Sequence, residues 1–107
     1  MSPITTHVLD TARGRPASGI PVTLEFESGG RWTKAGSGAT DAEGRVRDLL
    51  PGDAKPTPGK YRITFATAAY SGFYPSIEVS FVIEDPSQHY HIPLLLSPFG
   101  YSTYRGS

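Results

Sequence analysis

The chain has 107 residues, ten Lys+Arg against ten Asp+Glu, and no cysteine. That length fits one domain with a modest core, spanning residues 1–107. The balanced charge, with no basic run, argues against nucleic-acid binding through a cationic surface, and the lack of thiols excludes a disulfide framework or a thiolate metal site.

The opening residues 1–6 have neither the basic region nor the apolar run of a signal peptide. No segment approaches the roughly 20 apolar residues of a membrane span. The expectation is a cytoplasmic chain without a membrane partner. Residues 4–9 read as the first strand. Next, Ile20, Val22, Leu24 and Phe26 alternate with Pro21, Thr23, Glu25 and Glu27, and a Ser28-Gly29-Gly30 turn leads into a strand over 31–39. The turn Asp41-Ala42-Glu43-Gly44 precedes a short strand over 45–48, and Pro51-Gly52-Asp53 and Pro58-Gly59 mark a loop. Tyr61, Ile63 and Phe65 alternate with Arg62 and Thr64. Residues 66–71 predict one short helix. Ile77, Val79, Phe81 and Ile83 then alternate with Glu78, Ser80, Val82 and Glu84, where Val82 is the apolar exception. After Asp85-Pro86 come strands over 90–96 and 101–105. Short strands separated by such turns predict an all-β fold, an eight-stranded, two-sheet antiparallel sandwich.

Alternation also assigns faces. Ile4, Thr6 and Val8 point to the core, which leaves His7 and Leu9 on the opposite face. Tyr90, Ile92, Leu94 and Leu96 point inward, so His89, His91, Pro93 and Leu95 share the outward face. Apolar residues on that second face predict cover by another subunit. Trp32, Tyr61, Phe65 and Phe81 are expected in the core.

All three histidines of the chain therefore lie on outward faces, and Arg45 opens a strand just after the Glu43-Gly44 turn. Imidazole titrates near neutral pH and can move protons there. Guanidinium offers fixed planar donors to an anion or a developing oxyanion. Two imidazoles and one guanidinium can activate water against a carbonyl without a metal. The same pattern is met by three solvated imidazoles and a surface arginine. Zinc is a further alternative, because His89 and His91 are two residues apart on one strand face and His7 could add a third ligand. No carboxylate is placed to complete a set, so neither metal nor cofactor is expected. No nucleophile elbow or phosphate loop occurs.

The segments that carry these groups resemble the transthyretin-related proteins: Thr6-His7-Val8-Leu9-Asp10 with Gly14-Arg15-Pro16-Ala17, then Thr40-Asp41-Ala42-Glu43-Gly44-Arg45, and then residues 89–98 with Tyr101-Ser102-Thr103-Tyr104-Arg105-Gly106-Ser107. The Tyr-Arg-Gly-Ser ending resembles the 5-hydroxyisourate hydrolase branch of that family; the thyroid-hormone carriers lack it and hold other residue types where His7, Arg45 and His91 stand. The resemblance implies a transthyretin-like sandwich assembled as a homotetramer, a dimer of dimers, with a central channel. It implies hydrolysis of 5-hydroxyisourate, a small-molecule substrate, to 2-oxo-4-hydroxy-4-carboxy-5-ureidoimidazoline. The implied catalytic residues are His7, Arg45 and His91, with Tyr104 and Ser107 binding substrate as residues 104–107 close the pocket. His89 is expected outside that pocket or at its rim. The runner-up is a small-molecule carrier using the same inter-subunit channel.

Overall fold

The computed structural model describes residues 2–106; the expectation for Ser107 lies outside the described residues. Nine strands form: β1 (Ile4–Asp10), β2 (Arg15–Pro16), β3 (Pro21–Ser28), β4 (Arg31–Ala39), β5 (Arg45–Val46), β6 (Gly59–Ala66), β7 (Ser76–Ile83), β8 (Tyr90–Ser97) and β9 (Gly100–Thr103). One sheet runs β2-β1-β8-β9, with β5 also pairing β1, and the other runs β4-β3-β6-β7. Since β8 pairs with every residue of β1, the two-residue strands β2 and β5 must share the opposite edge of β1.

The two-sheet sandwich expected from alternation is therefore present, with three differences. First, β2 is an additional two-residue strand, paired Leu9↔Pro16 and Asp10↔Arg15, too short to show any periodicity. Second, the β1–β8 ladder is parallel, Ile4↔Tyr90 through Asp10↔Leu96. Alternation reports which face a residue takes, not strand direction, and a parallel pair needs a long crossover, supplied here by the entire second sheet. Third, among the described residues the expected short helix over 66–71 does not form. Ala66 is the last residue of β6, and a single turn follows in which the amides of Tyr70 and Ser71 both donate to the Thr67 carbonyl. The Thr67 hydroxyl donates to the Tyr74 carbonyl, and its amide to that of Pro75, so this segment is closed on the loop in place of a second helical turn. One turn fixes three residues for very few hydrogen bonds, too little to propagate.

One apolar cluster draws on both sheets: Ile4, Val8, Ile92 and Leu94 from the first meet Val22, Leu24, Ile63 and Phe65 from the second. Each such fully buried side chain stabilises the fold by about 1.5–3 kcal/mol relative to exposure. Tyr61 and Phe65 are buried as expected. Phe81 and Trp32 are half-buried, and the Arg62 guanidinium lies 4.2 Å over the Trp32 ring. Val82, the apolar exception on the outward side of β7, is 57% exposed.

The inward face of β1 is also polar, and every polar group on it is satisfied. Thr6, with no exposed surface, donates its hydroxyl to the Ile92 carbonyl of β8. Asp10, 4% exposed, accepts the Tyr70 hydroxyl at 2.7 Å and the amides of Ala12 and Arg13 at 3.1 Å. Tyr70 foremost, and then those amides, hold the Asp10 carboxyl below the usual range although burial pushes the other way. Burial and Asp10 together push the Tyr70 phenol up to about 12. No buried side-chain nitrogen or oxygen among the described residues lacks a partner.

Candidate active site

The outward face of β1 carries Thr5 and His7, and the two neighbouring strands bring the remaining groups to them by register. β5 pairs antiparallel and sets Arg45 directly across from His7. β8 pairs parallel and sets His91 directly across from Thr5. Facing residues of adjacent strands hold their Cβ atoms about 4.5–5.5 Å apart, so His7, Arg45 and His91 occupy one patch three strands wide.

Local chemistry fixes the Arg45 corner. The Asp41 carboxylate accepts the amides of Glu43 and Arg45, each at 2.9 Å, and these bonds, that of Arg45 foremost, draw its pKa down. Gly44 closes the turn at φ 77°, a left-handed conformation open to glycine. Its carbonyl accepts the Val8 amide at 2.8 Å, which bolts the turn to β1. A Cβ on Gly44 would stand 2.4 Å from the Val8 carbonyl oxygen and 3.3 Å from His7 Cδ2, so only glycine lets the turn approach this closely.

His7 Nε2 lies 2.8 Å from the Glu43 carbonyl oxygen. A carbonyl has no proton to give, so Nε2 of His7 carries one and donates it. His91 is half-buried, and its pKa is lowered, first by that burial and then by the positive charge of Arg45, His7 and His89. A neutral imidazole at neutral pH is what a proton acceptor for water requires. His91 Nδ1 is 2.8 Å from the Thr5 hydroxyl, while Nε2 has no hydrogen-bond partner among the described residues.

An open cavity of about 770 Å³ lies over the Arg45 and His91 part of this patch, lined also by Thr5, Arg47, Asp48 and His89, with His7 outside its lining. The chain's end reaches its edge: the Gly106 amide donates to the His91 carbonyl at 2.8 Å, and a Cβ at position 106 would sit 2.6 Å from His91 Cδ2. Among the described residues no three His, Cys, Asp or Glu side chains converge as a metal cage.

The structure thus brings His7, Arg45 and His91 together. It does not bring Tyr104 to them. Tyr104 is 57% exposed and lines a separate groove with Phe81, Val82 and Arg105 between β7 and the chain's end, because β9 stops at Thr103 and the residues after it bend back toward Gly106. Arg105 braces this end, with its guanidinium 4.5 Å over the Tyr90 ring and bonded to Gln88 at 2.9 Å. Two residues outside the expected catalytic set also line the cavity. His89, expected at the rim, lines the cavity and lies 3.0 Å from the Thr5 hydroxyl through Nε2, and Thr5 itself joins both imidazoles. The spacing of two between His89 and His91 held the signal for the first; the alternation of Thr5 with Thr6 held it for the second.

Comparison with known proteins places the chain among transthyretin-like proteins. The model of the HIUase/Transthyretin family matches residues 4–106. A 5-hydroxyisourate hydrolase of Salmonella dublin is 44% identical over 110 residues, covering 97% of this chain and 80% of its own length. The mouse protein of the same name is 44% identical over 115 residues, covering 99% and 96%. Among solved structures, Klebsiella pneumoniae 5-hydroxyisourate hydrolase superposes with a TM-score of 0.85 at 34% identity over the whole of both chains. Sea bream transthyretin in complex with thyroxine superposes with 0.88 at 33% identity, covering 97% of this chain and 94% of its own. Backbone likeness alone does not separate the two kinds of protein.

Proposed function

The chain belongs to the HIUase/Transthyretin family, and from that premise we propose that it is a 5-hydroxyisourate hydrolase of urate degradation, acting through His7, Arg45 and His91. The observation that carries this reading is the register that gathers two imidazoles and one guanidinium on an open face. A carrier needs shape and apolar contact. A proton acceptor held neutral next to a fixed cation is a hydrolytic arrangement.

His91, neutral and with Nε2 unpartnered among the described residues, takes a proton from water as the water attacks the substrate carbonyl. Arg45 flanks the place where negative charge develops and stabilises the oxyanion, while His7 is held beside it by the bond from its Nε2–H to the Glu43 carbonyl. The ring nitrogen that leaves on C–N cleavage receives a proton from the imidazole charged in the first step, so the enzyme ends the cycle as it began. The product is 2-oxo-4-hydroxy-4-carboxy-5-ureidoimidazoline.

The same proposal makes the working form a homotetramer, a dimer of dimers. Leu9 and Leu95 are only half-buried on the outward face, and the cavity is open on the side away from the core. A second copy over that face completes a channel, and a substrate-binding role there falls to Ser107 but not to Tyr104, which lines a separate groove. Among the described residues no helix is long and apolar enough to cross a membrane, and the proposal assigns the reaction to the cytoplasm.

Freshly prepared 5-hydroxyisourate tests this reading. Its transient absorbance is expected to decay faster with the protein than in buffer, and His7→Ala and Arg45→Ala are expected to abolish most of that acceleration. Decay at the buffer rate, with thyroid hormone bound at micromolar affinity, would favour the carrier.

A further inference from the structure

Thr5 and Thr6 are adjacent and chemically identical, yet their hydroxyls do different things. Thr6 donates to a backbone carbonyl in the core. Thr5, 8% exposed, holds its Oγ1 between two imidazoles, 2.8 Å from His91 Nδ1 and 3.0 Å from His89 Nε2. The two rings lie nearly parallel, 17° apart with centroids separated by 6.5 Å, so they meet only through the hydroxyl.

A hydroxyl has one proton and can accept others. It therefore donates to one imidazole and accepts from the other, which ties the two tautomers together. When Thr5 donates to His89 Nε2, His91 must be protonated at Nδ1, and its Nε2 is a lone pair ready to accept a proton. When Thr5 donates to His91 Nδ1, His89 supplies a proton at its Nε2, and His91 Nε2 carries a proton ready to give.

We propose that Thr5 and His89 are positioning residues that join His91 in a hydroxyl-bridged relay, passing the proton taken from water on to His89. This rests on the hydrolase reading above. As His91 Nε2 receives the proton from water, its Nδ1 proton moves to Thr5 Oγ1, and the Thr5 proton moves to His89 Nε2. His91 is left neutral with Nε2–H, and the cation sits on His89. Running backwards, the same three transfers deliver a proton from His91 Nε2 to the leaving nitrogen. His89 is exposed where His91 is half-buried, so water solvates the charge better at the outer ring. The charged groups facing His91 are His7 of β1, Arg45 of β5, Arg47 and Asp48 beyond it, and His89 itself. The Arg45 guanidinium repels a charge held on His91, which favours moving it outward.

The test compares Thr5→Val, which keeps the β-branched shape and removes the hydroxyl, with Thr5→Ser, which restores it, and with His89→Gln, which can donate to Thr5 but cannot take its proton. Loss of a partner that orients a metal-bound imidazole lowers activity by about 10–100-fold, and the same order is expected for a partner of a catalytic imidazole. Thr5→Val is expected to lower kcat by that factor with KM within about twofold of wild type, and Thr5→Ser to recover most of it. The ¹⁵N NMR shifts of the His91 ring are expected to report a changed tautomer in Thr5→Val. His89→Gln is expected to lower kcat and, by removing a neighbouring positive charge, to move the acid limb of the pH profile to higher pH. Wild-type kcat in Thr5→Val with unchanged His91 ¹⁵N shifts, while His91→Ala is inactive, overturns the relay and leaves the hydrolase reading standing. If Thr5→Val does not fold, His89→Gln decides alone, since its side chain is outside the core: an unaltered kcat and acid limb overturn the relay. A wild-type protein that leaves 5-hydroxyisourate untouched overturns the hydrolase reading instead, and the ¹⁵N shifts still read the bridge.

Discussion

The two faces of the β1–β8 ladder are built from the same strands and solve opposite problems. On the inward face, Ile4, Val8, Ile92 and Leu94 exclude water, and the polar groups among them, Thr6 and Asp10, are each fully engaged by a partner inside the chain. On the outward face, Thr5, His7 and His91 form hydrogen bonds that fix ring orientation but leave capacity over, Nε2 of His91 above all. A satisfied polar group stabilises; one held in place with a free lone pair can react. Folding free energy is concentrated on one side of the ladder, and the proposed reactivity lies on the other.

That division is broken or sharpened by substitutions on each face. The largest expected effect is on the outward side. His91→Ala should lower kcat by about 10²–10⁴, the range for a general acid–base group, with an unchanged melting temperature, read by turnover and circular dichroism on one sample. A large loss of stability would show that the faces are not separable. The mirror experiment is Leu94→Ala, buried on the inward face. It should cost about 2–5 kcal/mol of stability through lost burial and a residual cavity, measured by urea unfolding, while kcat per folded molecule stays near wild type.

Tyr70→Phe probes the polar part of the inward face and should cost about 1–3 kcal/mol, since it strips a buried carboxylate of a hydrogen bond. The sign of its pH dependence follows from the lowered Asp10 pKa. A carboxyl more acidic when folded than when unfolded adds stability that is present above its ordinary value of 3.8 and lost as pH falls through the lower folded value. Tyr70→Phe moves the folded value up, so its stability should differ least from wild type at the acid end. An equal deficit at pH 3 and pH 7 would mean that Tyr70 acts by packing alone.

A smaller effect concerns His91 in the wild type. Its pKa lies below the ordinary imidazole value of 6.5, so the acid limb of kcat/KM should fall below that pH. As pH drops from 6.5 toward the lower folded value, the unfolded chain binds the proton more readily, so His91 should also erode stability there. An acid limb above 6.5 would contradict the neutral base. Smallest of all is the expected effect of prolonged chelation and dialysis, which should leave turnover unchanged. Activity lost with zinc and restored by zinc alone would make the outward imidazoles ligands and not proton carriers.

Much of this site is legible in the order of residues along the chain. Period-two alternation puts His7 and His91 on outward faces, since side chains on a strand point to opposite sides whatever the strand pairs with. The Asp41–Gly44 turn announces Arg45, because an aspartate capping two amides ahead of a left-handed glycine is a local device. The short helix expected over 66–71 fails for a reason that is not local: three alanines carry helix propensity, but Thr67 spends its hydrogen bonds on Tyr74 and Pro75. Tyr104 is equally out of reach of sequence reasoning, since its surroundings include groups from β7 that are distant in the chain.

The sequence by itself determined which residues face the core and which face away, a property of backbone geometry between neighbours. Only the tertiary structure decided who meets whom across strands: Arg45 opposite His7, His91 opposite Thr5 in a parallel pairing, and one hydroxyl shared by two imidazoles 84 and 86 residues along the chain from it. Those meetings depend on register, which is set by the packing of both sheets together. A shift of one residue would preserve alternation's rule and exchange every side chain between the two faces.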